Sequence, residues 1–247
     1  MNFKKIHDTI VSFLFTKRCR YCNTVCDIRD DACPECADSV CEIEGEICYN
    51  CGCSKLLCNN KERKHYYKSL CAPYYYEGAA KKAVLHLKKH NTPVITEGLC
   101  ADMLTCFYKH YGEMEFDCCT YVPVHHTDEK ERGFNQSQLL AEAIARELQI
   151  PCYPLLSKDF KTESQHKLPQ MLRSGNLLGA ISFNKKCDAD ITDMRILLVD
   201  DIKTTGATLD ECAKTLLFES CAEVRCIVAC INKPYTREAS DEENDVF

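Results

Sequence analysis

Blocks of continuous apolar residues alternate along this chain with blocks of helical periodicity. Ile196 to Val199 are apolar without a break, which marks a strand covered on both faces, since a half-buried strand would alternate with polar positions. Cys118 to Val124 and Val224 to Ile231 read the same way. Helical stretches lie before and between them. Ala83, Val84 and Leu87 share one face of a helix from Ala79 to Leu87, with lysines outward. Leu139, Leu140, Ala143, Ile144 and Leu148 form the core face of another, with Asn135 as N-cap and Gln138 at the capping-box position. Thr208 and Glu211 repeat the capping-box pattern, so a further helix is predicted from near Leu209. Strands separated by helices predict an α/β fold with a doubly wound parallel sheet. Near the start of the chain Phe3, Ile6, Ile10, Phe13 and Leu14 lie on one helical face, read as packing onto the body of the protein.

The Ile196 strand ends in Asp200 and Asp201, and Thr204, Thr205, Gly206, Ala207 and Thr208 follow. In such sheets ligands bind at the carboxyl ends of the strands. A small-residue turn into a helix offers unpaired backbone amides to an anion. Two carboxylates beside it can accept hydrogen bonds from ribose hydroxyls, so the pair of features suits a sugar phosphate. Lys203 is expected to point out of this cradle. The run from Arg195 to Thr208 resembles the phosphoribosyl-pyrophosphate (PRPP) motif of type I phosphoribosyltransferases: four apolar residues, two acids, two more residues, then Thr-Thr-Gly-x-Thr. The resemblance implies that Asp200 and Asp201 hold the ribose hydroxyls and are catalytic. It implies too that Thr204, Thr205, Gly206, Ala207 and Thr208 wrap the 5′-phosphate, with Mg²⁺ accompanying PRPP. The polar, aperiodic segment from Lys161 to Asn176 reads as a lid, with Lys161, Lys167 and Arg173 as cations for the departing pyrophosphate.

Cysteine content changes the picture at the front end. Of 247 residues 21 are cysteine, and ten of those fall between Cys19 and Cys58. An odd number without a secretory signal points to a reducing cytoplasm, and to metal rather than disulfides. The apolar run from Ile10 to Phe15 is too short for a signal core or a membrane span. Cys19-x-x-Cys22 with Cys33-x-x-Cys36 has the spacing of a four-thiolate zinc site, structural because no position stays open. So few apolar residues lie between these cysteines that the segment needs the metal to fold. A redox dithiol pair is the alternative. Cys48, Cys51, Cys53 and Cys58 make a second possible zinc set, but Lys61 stands where a ribbon would have its next cysteine. Either Cys53 or Cys71 supplies the fourth thiolate, or this half has lost its metal. Cys26 and Cys41 are read as non-ligands, and Cys118, Cys119, Cys226 and Cys230 as small buried hydrophobes.

A net charge of −6 argues against wholesale coating of nucleic acid, though it leaves room for a local basic face. From Lys61 to His90, Lys61, Arg63, Lys64, Lys68, Lys81, Lys82, Lys88 and Lys89 interleave with Tyr66, Tyr67 and Tyr74 to Tyr76. Cationic grooves with stacking aromatics hold single-stranded nucleic acid, which makes Lys81, Lys82, Lys88, Lys89, Tyr66 and Tyr67 candidates. The competing account is a solvated face over a tyrosine-rich strand.

Taken in order, the motifs resemble the ComF family of bacterial competence proteins, in which a zinc ribbon precedes a phosphoribosyltransferase domain. The carriers are the paired Cys-x-x-Cys, the helix from Tyr76-x-Gly78 to Lys88, and the Pro123-Val124 strand end. Arg132-Gly133-Phe134-Asn135-Gln136, Thr162-x-x-Gln165, Arg173-x-x-Asn176, Gly179-Ala180 and the Asp200-Asp201 loop complete them, over residues 19 to 231. His125 and His126 replace the family's usual leucine after Pro-Val. The resemblance implies a Cys-rich, zinc-ribbon-like unit over residues 1–60 and a type I phosphoribosyltransferase-like sheet flanked by helices over 61–235. An acidic tail follows over 236–247. It further implies a cytoplasmic PRPP-binding protein that supports DNA uptake, with single-stranded DNA and a competence helicase as partners and no membrane span. The acceptor of the phosphoribosyl group is not implied. The rival is a binding module that senses PRPP or a nucleotide without turnover while the zinc region holds DNA or a helicase.

Overall fold

The structure, a computed structural model, describes residues 16–59, 64–112, 114–158 and 180–234. The expected N-terminal helix, the lid with Lys161, Lys167 and Arg173, the acidic tail, and Lys61 and Arg63 all lie outside the described residues.

At the front, β1 (Lys17–Arg18) and β2 (Val25–Cys26) pair antiparallel on either side of the first cysteine turn. Helix α1 (Pro34–Asp38) carries Cys36, and a 3₁₀ turn at Lys55–Leu57 precedes Cys58. The body then runs β3 (Ser69–Cys71), β4 (Tyr74–Tyr75), α2 (Gly78–Leu87), α3 (Pro93–Tyr111), β5 (Cys118–Tyr121), α4 (His126–Arg132) and α5 (Gln136–Leu148). It continues with β6 (Leu156–Lys158), β7 (Ile181–Phe183), β8 (Arg195–Lys203), α6 (Ala207–Phe218) and β9 (Glu223–Ile231).

The main sheet has the order β3-β9-β8-β5, with β4 also lying along β9, and every pairing is parallel. Beyond β5, Cys152 makes one more parallel bridge, to Cys119. Ile196 to Val199 on β8 and Cys226 to Cys230 on β9 are fully buried at consecutive positions, so both faces of the sheet must be covered. Helices α3 and α5 pack on one another as one layer, while α6, with the antiparallel β6–β7 pair against it, covers the other face. The chain leaves β5 through α5 toward the Cys152 edge, and leaves β8 through α6 in the opposite direction, toward β9. With right-handed crossovers these helices belong on opposite faces. The reversal falls between the carboxyl ends of β5 and β8, the place where a doubly wound sheet opens a ligand crevice.

The front end covers the outer edge of this sheet. Ile43 N–H donates to Pro73 O at 2.9 Å, Tyr75 N–H to Cys41 O at 2.9 Å, and Leu70 N–H to Tyr49 O at 2.8 Å. The chain at Ser39 then passes so close to the start of α2 that a Cβ on Gly78 would sit 1.8 Å from Ser39 O. Only glycine fits there, and its positive φ of 49° adds a second reason.

Two details depart from the sequence reading. Helix α6 begins at Ala207, earlier than Leu209, because Gly206 takes a left-handed conformation (φ 84°) as its N-cap. The Thr208–Glu211 box is therefore not its cap, and Thr205 Oγ1 accepts from Ala207 N–H at 3.3 Å instead. Gln138, at the capping-box position of α5, reaches forward to Glu142 at 2.8 Å rather than back to Asn135.

Candidate functional site

Strand β8 carries Asp200 and Asp201 to the switch point and buries both, at 8% and 4% exposure. Asp200 Oδ1 accepts from Ser137 Oγ at 2.8 Å and from the Asp201 amide at 2.9 Å. Asp201 Oδ2 faces Lys88 Nζ at 3.1 Å and Gln136 Nε2 at 3.4 Å. Asn135 sets the position of these donors. Its Oδ1 accepts from the amides of Ser137 (2.9 Å) and Gln138 (3.4 Å), and its Nδ2 donates to Val122 O at 3.1 Å. The cap thereby fastens the first turn of α5 to the end of β5 and aims Gln136 and Ser137 at the acids.

Burial raises the Asp200 carboxyl and the neighbouring Asp201 charge raises it further. Ser137, the Asp201 amide and Lys88 pull it back only in part, so it is pushed up to about 8. Burial lowers the Lys88 ammonium, but Asp201 and Asp200 outweigh that and its net shift is upward. An acid with a higher pKa folded than unfolded keeps its proton longer in the native state, so its contribution to stability is lost as pH rises from about 4 toward about 8. Asp200→Asn mimics the protonated acid. Wild type should therefore lose stability relative to this variant as pH rises from 5 to 8.5, as read by urea unfolding. Parallel profiles for the two proteins would show that Asp200 is not held protonated.

In the turn after β8, Thr204 is exposed, Thr205 and Thr208 are half-buried, and Gly206 is buried. Lys203 does not point outward as expected: its ammonium donates to Cys51 O at 3.0 Å, in the second cysteine turn. On the first turn of α6, Asp210 accepts from Tyr66 N–H at 2.6 Å and lies 3.4 Å from His65 Nδ1. Tyr67 is 3% exposed, stacks on His65 with centroids 4.5 Å apart and donates to Asn50 O at 2.9 Å. Past the end of β5, Tyr121, Pro123, His126, Gln138, Lys158 and Asn184 line a cavity of about 360 Å³ that includes Asn135 but neither acid. Burial lowers the Lys158 ammonium there.

The basic stretch does not form one exposed groove. Lys82 pairs with Glu35 on α1, Lys88 turns inward to Asp201, and Lys81 lies over the Tyr76 ring at 5.7 Å. Lys89 is exposed and Tyr66 is 51% exposed, but the burial of Tyr67 removes it as a stacking platform. Lys88 thus belongs to the acid pair, together with Ser137 and Gln136; Lys88 and Gln136 lie in stretches that carry the family resemblance, but no local pattern aims any of the three at the acids. A lysine at the end of an amphipathic helix reads as solvated until the sheet behind it is in place.

The cysteines divide as their surroundings dictate. The sulfurs of Cys19, Cys22, Cys33 and Cys36 lie within 4.8 Å of one another, and Cys22 and Cys33 are 3.7 Å apart. Zn–S bonds of about 2.3 Å in a tetrahedron put sulfurs about 3.8 Å apart, so this set fits zinc. The sulfurs of Cys48, Cys51 and Cys58 form a second such group, with Cys51 and Cys58 3.5 Å apart. Cys53 falls outside it, its sulfur 3.1 Å from that of Cys51, closer than two ligands of one zinc sit. Cys71 is buried in β3, and Cys118, Cys119, Cys226 and Cys230 are fully buried in the sheet. No helix among the described residues is long and apolar enough to cross a membrane.

Comparison with known proteins bears on this arrangement. The phosphoribosyl transferase domain family matches residues 135–247. Competence protein ComFC of Bacillus subtilis (strain 168) is 29% identical over 198 residues, covering 76% of this chain and 78% of that protein. Competence protein F of Haemophilus influenzae is 38% identical over 96 residues, 38% of this chain and 42% of that protein. DNA utilization protein YhgH of Escherichia coli (strain K12) is 32% identical over 110 residues, 44% of this chain and 47% of that protein. The chain thus spans less than half the length of the last two.

Proposed function

Since the chain belongs to the ComF family, we propose that it binds PRPP with Mg²⁺ at the end of β8 and acts in DNA uptake. The observation that carries this reading is the juxtaposition of two buried acids, Asp200 and Asp201, with the Thr204–Thr208 turn into α6. The acids accept from the ribose hydroxyls, and the amides at the start of α6, which have no partner within the helix, hold the 5′-phosphate. Lys88 Nζ lies 3.1 Å from Asp201 Oδ2 and sets a positive charge against this acid. Burial and the neighbouring Asp201 favour the protonated form of Asp200, so binding of the ribose should be accompanied by loss of its proton.

Loss of pyrophosphate leaves positive charge on the ribose, and carboxylates beside it stabilise that charge as it develops. Mg²⁺, bound with the substrate, supplies charge neutralisation at the pyrophosphate. The cavity lined by His126, Gln138, Lys158 and Asn184 reaches Asn135, the residue before Gln136 and Ser137, and offers room for an acceptor. The first cysteine set holds structural zinc, and the second holds a further metal. The names of the relatives, competence and DNA utilization, support placing this chemistry in the handling of DNA; a cytoplasmic setting, single-stranded DNA and a helicase are part of the proposal itself.

The test is calorimetric and chemical. PRPP with Mg²⁺ should raise the Tm, by linkage worth about 2.7 kcal/mol at a hundred times Kd, and pyrophosphate should appear with a suitable acceptor. Stabilisation without pyrophosphate release across a broad acceptor panel would favour a sensor over an enzyme. No stabilisation by PRPP or ribose 5-phosphate would end the reading.

A further inference from the structure

The two cysteine turns of the front end share one geometry. Each has two cysteines three apart followed by a residue in the left-handed conformation, Asn23 (φ 62°) after Cys22 and Gly52 (φ 80°) after Cys51. In each, that residue's amide donates to the first cysteine's carbonyl, Asn23 to Cys19 at 2.9 Å and Gly52 to Cys48 at 2.7 Å. In each, the first cysteine's amide donates one residue further on, Cys19 to Thr24 O and Cys48 to Cys53 O, both at 2.8 Å. Cys53 therefore occupies the place of Thr24. Thr24 Oγ1 lies 2.9 Å from Cys22 Sγ, and Cys53 Sγ lies 3.1 Å from Cys51 Sγ. Both side chains stand beside a ligand sulfur as hydrogen-bond partners rather than at a corner of the metal site. Cys48, Cys51 and Cys58 are left as the corners of the second site.

The turns differ in what they touch. The first sends Arg20 to Asp102 on α3. The second lies under the phosphate turn. Lys203, two residues after Asp201, donates to Cys51 O at 3.0 Å, and Tyr67 donates to Asn50 O at 2.9 Å. Gly206 rests on the same two side chains: a Cβ there would meet Lys203 Cε at 3.1 Å and the Tyr67 hydroxyl at 3.5 Å. The carbonyls of residues 50 and 51 thus carry the near side of the phosphate turn, and their positions follow from where the sulfurs of Cys48 and Cys51 are held.

We propose that metal held by Cys48, Cys51 and Cys58 is coupled to the sugar-phosphate site through residues 49–51, Lys203 and Tyr67, so that loading zinc preorganises the phosphate turn. A tetrahedral thiolate site fixes each Zn–S length near 2.3 Å and so fixes the backbone between the two cysteines. Without it the Cys51 and Asn50 carbonyls are free to shift, and the turn must be ordered by the ligand alone, at a cost in affinity. This inference rests on the ribose-phosphate reading of the Asp200 site. Coupling free energy is reciprocal, so bound PRPP must retain the metal by the same factor as the metal tightens PRPP.

The full-length, zinc-loaded protein and its Cys58→Ser and Lys203→Met variants decide the matter. Zinc content, PRPP–Mg²⁺ affinity by calorimetry, and zinc release to a chromogenic chelator with and without saturating PRPP would be measured. Cys58→Ser should lose the second zinc equivalent and bind PRPP about tenfold more weakly, a coupling of ordinary size. Lys203→Met should keep both equivalents, yet PRPP should no longer slow release of the second one as it does in wild type. Wild-type affinity in Cys58→Ser, with the metal gone, would overturn the coupling. So would PRPP-slowed release that persists in Lys203→Met, and this arm decides alone if Cys58→Ser does not fold. Failure of wild type to bind PRPP would instead overturn the ribose-phosphate reading on which the coupling stands.

Discussion

Cys33→Ser is expected to release the front end from the sheet. Serine is a poor zinc ligand, and structural zinc in small domains supplies about 10–16 kcal/mol of apparent binding free energy that the fold depends on. The residues between the first two ligands are also the docking residues. Arg20 lies 2.6 Å from Asp102 and bonds the Gly98 carbonyl, and the Tyr21 hydroxyl lies 3.0 Å from that of Tyr74. Burial already raises the Asp102 carboxyl despite Arg20 beside it. Removing the guanidinium strands a buried acid, a loss of about 3–5 kcal/mol. The variant should carry at least one zinc equivalent fewer, melt about 10 °C lower, and be cut rapidly by protease before residue 64. Full zinc content with wild-type protease resistance would show that these four sulfurs do not hold the front end.

The second large effect is predicted at Asp201. Asp201→Asn takes the charge from the one carboxylate in contact with Lys88, whose half-buried ammonium is then left beside a neutral amide. Breaking a buried pair from one side costs about 3–5 kcal/mol, mostly through the charge left behind. Hydrogen bonds to ionised groups are worth about 1.5–3 kcal/mol, so loss of this acceptor should weaken PRPP binding about ten- to a hundredfold. The two consequences can be separated. Adding Lys88→Met to Asp201→Asn should restore much of the stability, because neither charge remains, and restore none of the affinity. Strictly additive stabilities in this double-mutant cycle would mean that Lys88 and Asp201 are not coupled.

Much of this site was legible in the chain itself, for identifiable reasons. The uninterrupted apolar run at Ile196 could only be a doubly covered strand, and the acids at its end had to face the crevice. Asn135 announced its cap because that bond is made within three residues of chain. Lys88, Ser137 and Gln136 were not legible, since each acquires its role from a partner 63 or more residues away. Helix α3 escaped notice because its buried face includes Thr96, Cys100 and Cys106 beside Ile95, Leu99, Met103 and Phe107. In a chain so rich in cysteines with metal-ligand spacing, the apolar use of that residue is hidden. The Thr208–Glu211 box misled because Gly206 could adopt a conformation that starts the helix sooner.

The order of strands in the sheet also sets a timetable for synthesis. Strand β4 pairs with β9, the last element described, so its inner edge has no partner until Ile231 has left the ribosome. At about 5–20 residues per second, that wait lasts on the order of ten to thirty seconds. Throughout it β4 has neighbours on one side only, at Cys41 to Ile43, which are made before it and lie beside the cysteine turns. A nascent chain that captures zinc early can shield one edge of an unfinished sheet from pairing with other chains. Scarcity of zinc during growth would then act on how much of the protein reaches its folded form, before any ligand meets the finished site.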